Sequence, residues 1–377
     1  MPKYLWQHPS WPNFELDQDA IFKVLLEAKK SQAFILAQAN LLELNDQMEF
    51  FIEEAYTTSA IEGEILDRET IRSSVAKRLG LETAGMPQIK RESDGLVEVL
   101  MDATTNHQQE LTHERLFSWH AALFPTTSYS GYSGINKILV GEYRQGEDPM
   151  QVISGRIGKE RIHYEAPPSN RDRKEMNRFL KWWNTSDNEY DGIIRAAIAH
   201  LWFVTIHPFD DGNGRIARAI TDMALAKEEK ICKRLYSLSF QILRDKKNYY
   251  EILERTQKGN GEITDWILWF ISMFIQSIDN SKKVIEKSIF IARFYKKFAD
   301  KIFNERQWKV IKKLLECLPE DFTGGLTNKK YVSMTGVSAE SAKRDLRDLV
   351  AQGVLLVNEK KGRSTSYRLN KNFRNDE

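Results

Sequence analysis

The run His207-Pro208-Phe209-Asp210-Asp211-Gly212-Asn213-Gly214-Arg215-Ile216-Ala217-Arg218 decides the reading of this 377-residue chain. It follows a segment, Gly192 to Ile206, in which Ile193, Ile194, Ala197, Ile198, Leu201, Phe203 and Val204 give a helix a firm apolar seat. Pro208 disfavours continued helix at His207, so the imidazole is presented at the start of a loop. Gly212 and Gly214 permit positive φ and close backbone approach. The apolar stretch Ile216 to Ala226 then begins a second helix, whose first N–H groups suit an anion. Arg215 and Arg218 are three apart, hence on one helical face, and their guanidinium forks match phosphate oxygens. Asp211 offers a carboxylate to Mg²⁺, an ion that usually takes one or two carboxylates plus substrate phosphates, and Asn213 offers phosphate a further hydrogen bond. Each feature alone is weak. A histidine before proline is more often structural, and His207 with Asp211 reads equally as a chance pair or a metal site. A histidine, a carboxylate, two glycines and two arginines in one short run nevertheless combine an acid–base group with an anion site, which points to phosphoryl chemistry.

The rest of the chain constrains the setting. With 41% hydrophobic and 29% charged residues it has the composition of a globular protein of two or three domains. The 55 basic and 53 acidic residues give a net charge of +2, which as a whole-chain figure argues neither for nor against nucleic acid. No stretch reaches the roughly 20 apolar residues of a membrane helix, and the start, MPKYLWQHPSWPNF, lacks the features of a signal peptide. Cys232, Cys317 and seven histidines form no zinc-type spacing. A cytoplasmic location without membrane contact is the expectation.

Residues 1–105 read as a helical N-terminal region: Asp17 caps a first helix, and a second spans roughly Leu41 to Thr58 before Gly63. Residues 106–275 read as a helical core interrupted by a hairpin, in which Met150–Ser154 and Ile162–Ala166 flank a Gly-rich turn. That hairpin is either an ordinary surface feature or an edge that holds another chain. A connecting helix occupies 276–304. Residues 305–372 read as a winged helix-turn-helix, with a short helix to Thr335, a longer one from Ala339 capped by Ser338, and a hairpin around Lys360, Lys361 and Arg363. Lys343, Arg344 and Arg347 suit DNA phosphates, Asp345 and Asp348 dilute them, and a solvated or protein-binding face stays open.

The long run opening this section resembles H-P-F-x-[D/E]-G-N-G-R-x-x-R, the signature of Fic-domain proteins, at every fixed position. Gly141-Glu142-Tyr143-Arg144 and the hairpin stand where that family has its flap, and the opening Tyr4 to Pro9 is similar to the preface of a bacterial subgroup that carries a C-terminal winged helix. The resemblance implies a mainly α fold: a Fic-type helical core with a β-hairpin flap, a helical N-terminal region and the terminal winged helix. It implies a protein adenylyltransferase moving AMP from ATP to a Ser, Thr or Tyr hydroxyl, with self-modification as a side activity. His207 would take the target's proton. Asp211 would hold Mg²⁺, and Gly212, Asn213, Gly214, Arg215, Ile216, Ala217 and Arg218 would grip the phosphates. Ser154, Gly155, Arg156 and Ile157 of the flap would cover the nucleotide and receive an extended segment of the target protein, while Tyr249, Tyr250 and Gln257 would line the base pocket; both tyrosines read equally as core. Thr58 to Gly63 matches the family's inhibitory [S/T]-x-x-x-E-[G/N], so Glu62 would pair with Arg218 and restrain the enzyme. Another nucleotide donor, removal of AMP, a DNA-binding regulator using the core as a nucleotide sensor, and a homodimer are left open.

Overall fold

Two helices that bury nearly every side chain carry the larger part of the molecule. In the computed structural model, α7 (Gly192–Ile206) is buried throughout except at Ile194, and α8 (Asn213–Glu229) is buried over residues 215–226. They pack against each other along their length, and each large apolar side chain so enclosed contributes roughly 1.5–3 kcal/mol. The described residues are 2–42, 44–125, 138–147, 149–154, 161–186, 189–318, 321–358 and 365–372, with the backbone alone at Leu41, Asn45, Asp46 and Ser154. Gly155, Arg156 and Ile157 of the expected flap lie outside them, as does the turn at 360–364.

The chain divides into two compact units, Met1–Ser281 and Lys282–Glu377. In the first, α1 (Gln18–Gln38) starts at the expected cap, Asp17, whose side chain accepts from the Ala20 N–H at 3.0 Å. Helix α2 (Leu44–Ile61) packs on α3 (Arg68–Arg78), α4 (Arg91–Thr105) and α9 (Leu238–Arg244); α4 also packs on α5 (His113–Leu123) and α8. Thus the N-terminal helices share the unit of the central pair. Strands β1 (Gln151–Ser154) and β2 (Arg161–Glu165) form an antiparallel hairpin with an irregularity between Val152 and Ile153. The opening residues hold its base: Tyr4 packs edge-on against Tyr164, whose hydroxyl donates to the Thr205 carbonyl at 2.6 Å, and Trp6 donates to the Glu165 carbonyl at 2.9 Å. Helix α6 (Ser169–Thr185) flanks α7, and α10 (Lys246–Gln257) meets β2.

Helix α11 (Thr264–Lys297) runs through the division. The second unit contains α12 (Glu305–Glu316), β3 (Leu326–Thr327), α13 (Asn328–Thr335), α14 (Ala339–Ala351), β4 (Leu355–Val357) and β5 (Ser366–Leu369). The strand order is β3-β5-β4, antiparallel throughout, around a core that includes Val310, Leu314, Tyr331, Leu346, Leu349 and Leu355. Helices α13 and α14 are joined by a three-residue turn, Gly336-Val337-Ser338, and Ser338 caps α14 by accepting from the Ser341 N–H at 3.2 Å. No helix among the described residues is long and apolar enough to cross a membrane.

Candidate active site

His207 caps α7 with φ 53° and ψ 56°, a left-handed conformation that only two non-glycine residues adopt among those described. Such backbone is disfavoured for a residue with a Cβ and persists when its surroundings enforce it. Arg144 is the main enforcer: its Nε donates to the His207 carbonyl at 2.8 Å and its backbone N–H to the Pro208 carbonyl at 2.9 Å. Its Nη2 is anchored on the Pro167 carbonyl at 2.6 Å and on Asp172 at 2.8 Å, with both side chains of that ion pair almost wholly enclosed. Arg144→Ala would strand the Asp172 carboxylate and should cost about 3–5 kcal/mol in urea denaturation; a loss below about 1 kcal/mol would contradict the clamp.

The imidazole is oriented as well. Its Nδ1 lies 3.2 Å from the Val204 carbonyl, which places the proton on Nδ1 and leaves the Nε2 lone pair without a hydrogen-bond partner among the described residues. Burial lowers the imidazole pKa to about 4, with the Val204 hydrogen bond acting the other way and Arg144 adding to the depression. This is below the near-neutral value the residue type suggests, because the ring sits in an enclosed site. At about pH 5.5, where an exposed imidazole with its ordinary pKa is mostly charged, ¹H–¹⁵N NMR should find His207 neutral with its proton on Nδ1. A charged ring at that pH would refute the assignment.

The loop then tightens into α8. Gly212 has φ 77°, and a Cβ there would meet the Phe124 ring at 2.9 Å. Asn213 is spent on the loop: its Oδ1 accepts from the Phe209 N–H at 3.0 Å and its Nδ2 donates to the Phe209 carbonyl at 2.8 Å, leaving one amide proton for anything else. Asp210 accepts from the Leu139 N–H at 2.9 Å. Asp211 is exposed; one of its oxygens accepts from the Gly212 N–H at 2.6 Å, and the other is open to a cation. No cluster of three or more metal-type side chains exists among the described residues, so Asp211 suits an ion whose remaining ligands come from phosphate and water.

A carboxylate already sits at the start of α8. The space that a Cβ on Gly214 would occupy is filled by Glu62 Oε1, which accepts from Arg218 Nη2 at 2.6 Å. Arg218 is committed to α2 in two further ways, its Nε donating to Thr58 Oγ1 at 2.6 Å and its Nη2 to the Thr58 carbonyl at 2.9 Å. Its Nη1 is buried without a partner. Burial opposes the Glu62 charge, but Arg218, backed by Arg215 and Lys246, holds this carboxyl below its ordinary range. The end of α2 explains the aim. Glu64 N–H reaches back to the Ser59 carbonyl at 3.1 Å and Gly63 N–H to the Ala60 carbonyl at 3.1 Å, with Gly63 at φ 87°. This Schellman turn makes Glu62 the cap residue and reverses the chain after it. Glu64 consequently reaches Arg215, accepting from Nη1 at 2.8 Å. Each arginine of the run therefore carries one carboxylate. Glu64 had no role in the sequence reading, nor did the Arg144–Asp172 clamp; the Glu-x-Glu spacing after Thr58 was the available signal for the first.

The remaining expected residues divide. Tyr249 is buried, its hydroxyl 2.9 Å from His200 Nε2, with His200 Nδ1 3.0 Å from the Thr221 hydroxyl, so it takes the core alternative in this arrangement. Tyr250 donates to the Ile61 carbonyl at 3.3 Å, at the end of α2. Gln257 reaches the Val204 carbonyl at 3.4 Å and Thr205 Oγ1 at 3.3 Å, which places it behind the His207 anchor. Ile216 and Ala217 are core residues of α8. On the hairpin, Ile153 and Ile162 are paired across the strands and both exposed, and His163 and Arg161 on β2 bond Glu254 at 2.6 and 3.1 Å.

Comparison with known proteins places this chain among others. Residues 110–225 match the family model described as Fic/DOC family, and residues 4–81 match one described as Domain of unknown function (DUF4172). The chain therefore carries a Fic domain, and its His207–Arg218 run lies inside it. Protein adenylyltransferase Fic of Nematostella vectensis is 25% identical over 70% of this chain and 56% of its own length. A uridine 5'-monophosphate transferase of Xanthomonas campestris pv. campestris (strain 8004) is 30% identical over 30% of this chain and 23% of its own length. The chain thus spans about half or less of the curated relatives it matches. A Fic family protein from Desulfovibrio desulfuricans G20 has the same fold, with a TM-score of 0.55 at 17% identity, covering 95% of this chain and 98% of that one.

Proposed function

We propose that this Fic-domain chain transfers AMP from ATP to a hydroxyl side chain of a protein, and that Glu62 restrains it. The observation carrying the proposal is the Glu62 carboxylate on Arg218 at the first turn of α8, beside a histidine with a free Nε2. A carboxylate resident there is a stand-in for a phosphate oxygen, since it uses the same helix N-terminus and the same guanidinium that an anionic substrate would use.

With Glu62 displaced, the orphaned Arg218 Nη1, the Nη2 it released, and the Arg215 Nε that has no partner are the donors for the polyphosphate. His207 Nε2 accepts the proton of the target hydroxyl as that oxygen bonds to the α-phosphorus; the bond to the β-phosphate bridging oxygen breaks and pyrophosphate leaves. The neutral imidazole is competent across the physiological range, and catalysis rests on positioning and charge compensation. Asp211 would hold a magnesium ion there, which when bound offsets phosphate charge. The outer edge of β1 is the one suited to an extended segment of the target, because β2 carries the side chains tied to Glu254.

The test is label transfer to protein by Glu62→Gly enzyme with Mg²⁺, using α-labelled and γ-labelled ATP in parallel. Label from the α-phosphate alone is the expected result, and label from the γ-phosphate would indicate a kinase instead. The similarity to a uridine 5'-monophosphate transferase supports a second reading in which the donor differs. Competition by UTP, GTP and CTP separates the two: a rival nucleotide that suppresses labelling better than unlabelled ATP would move the assignment to that donor.

A further inference from the structure

The charge of the chain is divided as sharply as its fold. Residues 1–281 hold 33 Lys and Arg against 41 Asp and Glu, a net of −8, whereas residues 282–377 hold 22 against 12, a net of +10. The whole-chain value of +2 conceals both. An asymmetry of this kind marks a part of the chain that meets a polyanion.

Within the second unit the geometry says where. Lys343, Arg344 and Arg347 are exposed on α14, at spacings of three and four that put them on one face. None of the three makes an ion pair or hydrogen bond with another described residue. Of the three acids of the same helix, one is spent elsewhere. Asp345 is buried, accepting from Arg306 Nε at 3.0 Å, the Tyr331 hydroxyl at 3.0 Å and Asn304 Nδ2 at 3.3 Å. Asp348 accepts from Gln307 Nε2 at 2.7 Å and Gln352 Nε2 at 2.8 Å, but these amides are neutral and the residue is exposed, so its charge stays beside Arg344. The acids left beside the basic face are therefore Asp348 at its rim and Glu340 in the first turn, against three bases. This is the second helix of a helix-turn-helix, the element whose width fits a major groove, and it follows α13 across a three-residue turn.

We propose that the exposed face of α14 binds double-stranded DNA through its phosphates, with Lys343, Arg344 and Arg347 as the contacts. This binding is independent of the transferase reading.

The experiment is fluorescence anisotropy of a labelled mixed-sequence duplex of about 24 base pairs with the full chain, at about 50 to 200 mM salt. Lys343→Gln/Arg344→Gln/Arg347→Gln should weaken binding at least about tenfold at the low-salt end and reduce the slope of log affinity against log salt by about 2 to 3. Glu340→Gln should tighten binding about two- to threefold, an effect of opposite sign that damage to the fold would not produce. Lys309→Gln/Lys312→Gln, exposed on α12, should change affinity less than about twofold. The proposal is overturned if the duplex does not bind at low salt, if the α12 pair matters as much as the α14 triple, or if anionic phospholipid vesicles bind while the duplex does not.

Discussion

Glu62→Gly should raise the turnover of AMP transfer about 30- to 100-fold over the unmodified chain, measured with α-labelled ATP at saturating target. The magnitude follows from the contact it removes. A hydrogen bond between charged groups is worth about 1.5–3 kcal/mol, and the 32% exposure of the Glu62 side chain argues against the upper half of that range for this bond alone. Displacing the carboxylate also returns the first turn of α8 to substrate. A combined bias of about 2–2.7 kcal/mol leaves on the order of 1–3% of molecules competent, which sets the gain. Thr58 keeps its two bonds to Arg218 in the variant, so α2 retains its seat and the effect is not a consequence of unfolding.

Glu64 gives the same experiment a second reading. Its carboxylate is as exposed as that of Glu62, at 31%, but its partner Arg215 is less enclosed than Arg218, 9% against 2%, and the pair is worth about 0.2–1 kcal/mol. Glu64→Gln should therefore lie within about twofold of the parent in the otherwise unmodified chain, where Glu62 still blocks α8. In the Glu62→Gly background it should lower the KM for ATP about two- to fivefold by releasing Arg215. Equal turnover of Glu62→Gly and the parent chain would remove the inhibitory role from both carboxylates.

The helices that carry the site were legible because their patterns are long and their ends are chemically marked. Gly192–Ile206 is continuously apolar and ends at His207-Pro208; Asp17 and Ser338 cap the helices they were expected to cap. Helix α2 ends at Ile61, with Gly63 in the left-handed turn that the sequence marks as its break or cap. Asn213 could be read as a phosphate ligand from its residue type, but its amide closes the loop on Phe209 four residues back, a local pairing that competes with ligands. Glu64 was not singled out because residues two apart on a continuing helix do not share a face, and only the Schellman turn at Gly63 brings both glutamates to arginines three apart on α8. The +10 of residues 282–377 is hidden in the whole-chain charge, which averages across the boundary at Ser281.

Loss of the base should produce the other large effect, and His207→Asn is the variant that isolates it. Alanine at φ 53° would cost about 1 kcal/mol of backbone strain and let the 207–208 loop relax away from Arg144, so a dead His207→Ala enzyme would leave chemistry and positioning confounded. Asparagine tolerates the left-handed conformation, so the carbonyl that accepts from Arg144 Nε and the start of α8 stay in place, yet its amide cannot take a proton at neutral pH. In the Glu62→Gly background, His207→Asn should lower kcat about 10²- to 10⁴-fold, the usual contribution of a positioned general base, with the KM for ATP changed less than about twofold. The split matters because the proposed mechanism uses no group of the imidazole on the phosphates: in it Arg215, Arg218 and the α8 N–H groups bind, and His207 acts on the other reactant. If turnover falls less than about tenfold, the target hydroxyl loses its proton elsewhere and His207 is only the residue that shapes the loop. If kcat and nucleotide affinity fall together, the imidazole belongs to the phosphate cradle, and the division of labour between the end of α7 and the start of α8 is wrong.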